Sequence, residues 1–305
     1  MSRMALLAAL LLAASVAPGM EFTFEQQPTH ADLLGGGKIW LRTMIEPFDE
    51  ARAEDTYKVY THIYDFTGEN PITKGVGGKY THHRGLFIGW KDTLVPENGA
   101  ETDYDTWHMP NCRQQHLEWL PFQSKDGVAK QIQIIRWQDA SGGEFIRETR
   151  SIGASESEQD VRIIDFESIL ESKRGTIKLR GDLQHAGMQV RLANEVSEHE
   201  ATTQYLIPEG AQELEDDKVV GAWWVCCSAE VGGKRYWVMH MTPANHPGGV
   251  PVYSIRRYAR FGAFFEPDLE EGKPLKLRFR VLVSEHELDA SACAALYKAY
   301  VEETK

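Results

Sequence analysis

The sequence predicts an all-β protein, a sandwich of β-sheets that ends in one short helix. Segments rich in β-branched and aromatic residues recur along the chain, and short turns separate them. Two of these turns, 139–143 and 232–234, carry the glycine pairs that are typical of hairpins. Helical spacing of apolar residues occurs only near the end of the chain. Many strands with almost no internal helix are typical of a sandwich or a barrel.

The predicted elements follow one another without a repeat or a low-complexity linker, so we expect one domain over residues 20–305. The last element is a helix over 290–303, with Asp289 or Ser291 as its N-cap. The predicted strands are, in chain order, 38–45, 56–66, 130–137, 144–152, 161–170, 176–179, 188–195, 223–231, 235–241, 253–265 and 275–283.

The first residues have the pattern of a secretory signal peptide. Residues 5–17 are apolar apart from Ser15, they follow the basic Arg3, and they end in small residues. This run is shorter than the roughly 20 residues that a membrane span needs, and no later segment is long enough either. We therefore expect a signal peptide over residues 1–19 and an exported protein, periplasmic or extracellular. A disordered or helical start of a cytosolic protein is the alternative.

The composition is that of an acidic globular protein. Hydrophobic residues make up 42% and charged residues 26%, and 33 basic side chains face 45 acidic ones, for a net charge of −12. This balance argues against a nucleic acid or an anionic membrane as the partner. It leaves a small molecule or a glycan.

The four cysteines allow two interpretations. In an oxidising compartment they could form disulfides, with three possible connectivities. Alternatively they are buried apolar residues, which the run Trp223–Cys227 favours. No CxxC spacing is present, so a structural zinc site is not expected. The cysteines are Cys112, Cys226, Cys227 and Cys293.

The segment His82-His83-Arg84 precedes Gly85 and an apolar strand at 86–90. In an extended backbone His82 and Arg84 face one way and His83 faces the other. An imidazole beside a guanidinium suits an oxygen-rich anion or the hydroxyl groups of a ligand.

Two further segments combine histidine with acidic and aromatic residues. Residues 105–108, Asp-Thr-Trp-His, suit a sugar platform, or else form a turn that buries Trp107. Strand alternation places His116 and Glu118 on one face, where the carboxylate can orient the imidazole or share a metal with it. The alternative is a solvated polar face.

The fourth histidine segment is 184–191, where His185 stands at the entrance of a strand. Gly187 allows another chain or a ligand to approach closely. Alternation places Gln189 and Arg191 on the face opposite the apolar residues. Further along, Arg257 is a candidate for lining a groove. No GxSxG, Walker, GxGxxG or HExxH motif is present.

Taken in order, several of these segments resemble a domain family of unknown function that carries the label "methane oxygenase PmoA". They are 82–90, 115–119, 184–191, 221–224, 245–247, 257–258 and 261–264. The label implies copper oxidation chemistry, although a membrane-bound methane monooxygenase subunit has several membrane spans. Ala259 and Arg260 stand where the family pattern has Tyr-Gly. Segments 264–267 and 274–283 resemble galactose mutarotase-type proteins, which implies a two-sheet β-supersandwich with a polar, sugar-binding concave groove.

The first functional hypothesis is an exported carbohydrate-active protein, an enzyme of epimerase, lyase or hydrolase type. Imidazole suits acid–base work near neutral pH. The candidate catalytic residues are His83, His116, His185 and Glu118. The candidate substrate-binding residues are His82, Arg84, Trp90, Trp107, His108, Gln189, Arg191 and Arg257.

Two alternatives stay open from the sequence. One is a zinc or copper enzyme, because imidazole ligates both metals. Its ligands would come from His82 or His83 together with His108, His116 and His185. The other is a secreted sugar-binding domain without catalytic activity.

Overall fold

The computed structural model describes residues 19–157 and 160–304. The predicted signal peptide, 1–19, therefore lies outside the described residues except for Gly19. The strands are β1 Phe22–Gln26, β2 His30–Gly35, β3 Lys38–Met44, β4 Tyr60–Ile63, β5 Leu86–Trp90, β6 Asp92–Glu97, β7 Ala100–Tyr104, β8 Cys112–Lys125, β9 Val128–Asp139, β10 Glu144–Glu156, β11 Arg162–Ser172, β12 Ile177–Arg180, β13 Ala186–Arg191, β14 Gln204–Leu206, β15 Gln212–Leu214, β16 Lys218–Val220, β17 Trp224–Val231, β18 Lys234–Met241, β19 Val252–Arg256, β20 Arg260–Phe264, β21 Asp268–Leu269 and β22 Leu275–Ser284.

Helices are few and short. The α-helices are α1 Ala53–Thr56 and α2 Ala290–Glu303, and the 3-10 helices are Glu50–Arg52, Asn194–Glu198, Glu200–Thr202 and Glu215–Asp217. Within the described ranges no helix is long and apolar enough to cross a membrane.

The strands form three antiparallel sheets. The first has ten strands in the order β1-β2-β3-β4-β5-β13-β20-β19-β16-β15. The second has eight, β14-β17-β18-β22-β11-β10-β9-β8, and a small third sheet has the order β21-β12-β6-β7. The prediction of an all-β fold with a C-terminal helix is confirmed, and the four-stranded sheet is an addition to the predicted pair.

The two large sheets enclose one main apolar core. Its buried residues come from both sheets, for example Leu41 and Ile88 from the first and Ile135 and Phe166 from the second. Polar side chains also cross between the sheets, since Gln131 donates to Thr43 Oγ1 at 2.8 Å and Gln114 donates to the carbonyl of Ile88 at 3.2 Å. These bonds satisfy polar groups that burial removes from water.

Helix α2 spans the predicted residues and covers the outer side of the second sheet. The Asp289 carboxylate caps it by accepting a hydrogen bond from the amide of Ala292 at 2.7 Å. Cys293, Leu296 and Tyr300 form its buried face and belong to a second apolar cluster. This spacing of three and four residues explains why the helix could be predicted from the sequence.

The core contains one fully paired arginine. Arg150 and Glu148, both 0% exposed, form a double hydrogen bond of 2.8 and 2.9 Å. The carboxylate also accepts bonds from Trp137 Nε1 and Ser168 Oγ. Every oxygen of this carboxylate therefore has partners, which offsets the cost of its burial.

Replacing Glu148 by Gln is expected to lower the free energy of unfolding by about 3–5 kcal/mol, because Arg150 would keep a buried charge without a counterion. The matched control is Glu171→Gln, which breaks the exposed pair with Lys173 and is expected to cost less than about 1 kcal/mol. Denaturant unfolding measures both. Equal, small losses for the two variants would contradict this role of Glu148.

The cysteines are all free and buried. Burial raises the pKa of Cys112, Cys226 and Cys227, and for Cys226 the neighbouring Cys293 thiol is the largest cause.

We expect almost no reaction of the cysteines with a thiol reagent at neutral pH in the folded protein, and four reactive thiols after unfolding. A count of two thiols in the unfolded protein would reveal a disulfide instead.

Candidate metal centre and its pocket

Three histidines from separate turns converge beside the ten-stranded sheet. The ring centroids of His82 and His108 lie 4.3 Å apart, those of His108 and His185 5.0 Å, and those of His82 and His185 6.5 Å. One ring nitrogen of each lies within 4.8 Å of the other two. A tetrahedral zinc with bonds of about 2.0–2.1 Å needs nitrogens about 3.4 Å apart, so the three rings would move closer together when they bind it.

The His82 turn folds back over β5 instead of extending away from it. Tyr80 adopts a left-handed backbone with φ of 54°, and its carbonyl accepts a bond from the amide of His83 at 3.0 Å. Segment 79–85 is therefore a series of turns and bends. The predicted alternation of His82 and Arg84 on one face does not apply, because it assumed an extended strand.

The side chain of Lys58 ties the first two turns together. Its buried ammonium donates to the carbonyl of Trp107 at 2.6 Å and to that of His82 at 3.2 Å. It also lies 4.7 Å from the ring centre of Phe87. Burial and the nearby Arg84 guanidinium lower the pKa of Lys58 well below its usual value.

Trp107 forms the floor under the histidines. It is completely buried, and its ring contacts those of Phe87 at 4.8 Å, His185 at 5.7 Å and His83 at 6.2 Å. Asp105 closes the turn that contains Trp107, because its Oδ1 accepts bonds from the amides of Trp107 and His108. Trp107 therefore supports the imidazoles and is not available for stacking on a sugar.

Two carboxylates orient two of the imidazoles. His108 Nδ1 donates to Asp105 Oδ2 at 2.8 Å, and His185 Nδ1 donates to Asp182 Oδ1 at 2.6 Å. An ionised carboxylate can only accept, so both rings are protonated on Nδ1, which leaves Nε2 as the nitrogen available to a metal ion. Nε2 of His82 is buried and has no hydrogen-bond partner among the described residues. The three rings thus offer a set of imidazole nitrogens that fits a metal ion.

Burial lowers the pKa of three imidazoles at the site, those of His82, His83 and His185. Burial, followed by the charge of Lys58, lowers the pKa of His82 to about 2. Burial also lowers the pKa of His83 well below its usual value and, against the pull of Asp182, lowers that of His185. For the carboxylate, burial would raise the pKa of Asp105, but the bonds from His108 hold it below its ordinary value.

A pocket of about 180 Å³ opens beside two of these histidines. Tyr258 forms part of its wall and stacks on the ring of His83 with centroids 5.9 Å apart. Its lining residues all carry a polar group, and they are Tyr80, His82, His83, Gln184, His185, Arg256, Tyr258 and Arg260.

Several of the residues predicted from the sequence meet here. His82, His83 and His185 line the pocket and His108 adjoins them. Arg84 and Arg191 are fully buried, and both donate to backbone carbonyls. Trp90, Trp107 and Gln189 are also 0% exposed, so none of these three presents a surface to a ligand.

His116 and Glu118 lie elsewhere, on β8 of the eight-stranded sheet. Nδ1 of His116 bonds to Gln133 Oε1 at 2.9 Å, and its ring packs on Trp119. A bulge between His116 and Glu118 shifts the register, so the simple alternation expected from the sequence is broken there. Burial lowers the pKa of His116.

The later arginines are placed differently from the prediction. Arg257 is exposed and donates to the carbonyl of Thr203, whereas Arg256 and Arg260 line the pocket. The last two pair directly across the β19–β20 hairpin, on either side of Ala259, whose φ is 56°. In the sequence, the signal that could have identified Arg256 and Arg260 as pocket residues is an arginine at each end of a three-residue turn. Tyr80 and Gln184 line the pocket too, but no sequence pattern marks them.

Comparison with solved structures gives distant likenesses. An aldose epimerase homologue from C. elegans is 7% identical, with a TM-score of 0.39 over 87% of this chain and 99% of that chain. A heparinase III, the BT4657 gene product, is 8% identical with a TM-score of 0.31, over 88% of this chain and 34% of that one. A candidate kojibiose phosphorylase from the human microbiome is 10% identical with a TM-score of 0.33, over 94% and 37%.

This chain spans about a third of the length of the heparinase III and of the candidate kojibiose phosphorylase. At these scores the likenesses carry no argument about function. No curated protein matches the sequence.

A family profile does match, over residues 31–298, and its description is a family of unknown function, DUF6807. The methane oxygenase label that the sequence resemblance suggested is not part of that description. The expectation of a family of unknown function is confirmed. The chain belongs to this family of unknown function.

Proposed function

We propose that the protein is a metal-dependent enzyme whose ion, best matched by Zn²⁺, is held by His82, His108 and His185. The observation that carries this proposal is the convergence of His82, His108 and His185, with one ring nitrogen of each within 4.8 Å of the other two. Three histidines without a fourth protein ligand are typical of catalytic zinc sites. Such an ion keeps one position for a substrate or water oxygen and polarises it.

The rest of the site supports a hydroxyl-rich small molecule, such as a carbohydrate, as the substrate. Tyrosine, glutamine and arginine side chains surround the pocket, and no aliphatic residue lines it. Tyr258 and Gln184 can exchange hydrogen bonds with hydroxyl groups, while Tyr80, 42% exposed, offers an aromatic face at the rim. Export of the chain, which the apolar start at 5–17 favours, is part of the same proposal.

The chain's own groups hold and orient the ligands of the ion. Asp105 and Asp182 fix the tautomer and the direction of two imidazoles, and Lys58 fixes the spacing of the His82 and His108 turns. His83 lines the same pocket, and its Nδ1 is buried without a hydrogen-bond partner among the described residues.

Metal analysis tests the proposal. Full-length protein purified without a histidine tag and dialysed against zinc is expected to hold one zinc ion per chain. His185→Ala is expected to bind zinc more than about 100-fold more weakly, because changes to outer partners alone cost 10–100-fold. The control is His199→Ala, at an exposed position outside the cluster.

The His116→Ala variant tests whether His116 is a metal ligand, as the sequence alone allowed. Because His116 lies outside the cluster, we expect this variant to retain its zinc. A wild-type protein that binds neither zinc nor copper contradicts the proposal. A preference for copper over zinc would change the identity of the proposed ion but not its three ligands. Ligand binding without turnover of any sugar would favour a non-catalytic sugar-binding protein.

The orienting carboxylates give a second test. Asp182→Asn retains the size of the side chain but removes the charge that supports Nδ1–H of His185, so zinc affinity should fall about 10–100-fold. Competition with a chromophoric chelator measures the affinity. The control is Asp268→Asn, which touches only the exposed pair with Arg180. Equal zinc affinities for the two variants would show that Asp182 does not position the ligand.

A further inference from the structure

The pocket carries a buried arginine that no carboxylate balances. Arg260 is 1% exposed, and its Nη1 donates to Gln189 Oε1 at 3.3 Å and to Ser254 Oγ at 3.0 Å. Its Nε is buried and has no partner. Within the described part of the chain it forms no ion pair, whereas the buried Arg150 pairs with Glu148. A buried guanidinium without a counterion is costly and calls for an anion.

The surroundings of Arg260 add to this positive charge. The eight lining residues of the pocket include two arginines and no acidic residue. Arg256, the other lining arginine, is already paired with Asp217 at 2.6 Å, whereas Arg260 has no ion pair among the described residues. Arg191 lies behind the wall, 4.8 Å from the ring centre of Tyr258. A net charge of −12 for the whole chain conceals this local field.

Neutral ligands would leave that field unbalanced. Hydroxyl groups can accept hydrogen bonds from a guanidinium, but they bring no charge to offset its burial. A carboxylate does both, because its two oxygens match the fork of donors on an arginine. Burial lowers the pKa of the Arg260 guanidinium, against the neighbouring Tyr258, which raises it.

We propose that the substrate is a sugar acid whose carboxylate pairs with Arg260 while its hydroxyl groups face His82 and His185. This inference rests on the proposed function for the metal side of the pocket. The carboxylate is recognised by this chain's arginine, and the hydroxyl groups by the polar wall and by the ion that the three histidines would hold.

Calorimetric titration of the zinc-loaded, full-length chain tests the inference with matched pairs of ligands. D-Glucuronate is compared with D-glucose, and D-galacturonate with D-galactose, so that each pair differs only in a carboxylate for a hydroxymethyl group. We expect the acid to bind at least tenfold more tightly in at least one pair. Neutral sugars that bind as tightly as the acids, or no binding by any of the four, would overturn the inference.

Inorganic phosphate is titrated in the same experiment as a second kind of anion. If phosphate binds more tightly than both sugar acids, the assignment of the ligand as a carboxylate is overturned.

Variants at Arg260 locate the effect. Arg260→Gln is expected to remove the preference for the acid, and Arg260→Lys to keep part of it because the charge remains. Arg235→Gln, at an arginine paired with Glu230 on the surface, should bind the acid as the wild type does. An unchanged preference in a folded Arg260→Gln protein would overturn the inference. Should that variant fail to fold, the wild-type ligand pairs still decide.

Zinc content is measured on the same samples. Full zinc occupancy together with lost acid binding in Arg260→Gln supports the inference independently of the metal site. Acid preference in a wild-type protein that takes up no metal would contradict the proposed function alone.

Discussion

The site depends on one buried ammonium group. Lys58 donates to the carbonyls of His82 and Trp107 and thereby holds together two turns that are far apart in the sequence. Ring packing between His83 and Trp107 joins the same two turns a second time. The arrangement removes a charge from water and compensates it with carbonyl dipoles and the face of Phe87. The position of His185 is then set by Trp107, which packs against its ring.

Charge is distributed unevenly around this centre. The carboxylates of Asp105 and Asp182 are engaged by histidines, so they orient rings and do not neutralise the buried arginines. Burial is the largest cause of the lowered pKa of His82 and His83, and the positive charges of Lys58, Arg191 and Arg260 add to it. Buried cations without a counterion destabilise the folded protein, and such local destabilisation is typical of a binding site. A ligand with oxygen donors and one negative charge would complete it.

Much of the framework could be predicted from the sequence, but the convergence of the site could not. Helix α2 follows from its spacing and its Asp289 cap, and the histidine segments stand out by composition. Their meeting depends on the order β5-β13-β20, which is not sequential, and on a left-handed Tyr80 that reverses the chain. Neither has a local signature. From the sequence, His116 could not be distinguished from the histidines of the site. Strand alternation predicts the face of the sheet on which a residue lies, but it does not predict what packs against that face.

X-ray absorption spectroscopy of the zinc-loaded protein can decide whether three imidazoles bind one metal ion. We expect three imidazole nitrogens at about 2.0–2.1 Å from zinc and one further light ligand. We also expect that the imidazole scattering falls when His82 is replaced. A spectrum with sulfur neighbours, or with oxygen neighbours and no imidazole scattering, would contradict the assignment.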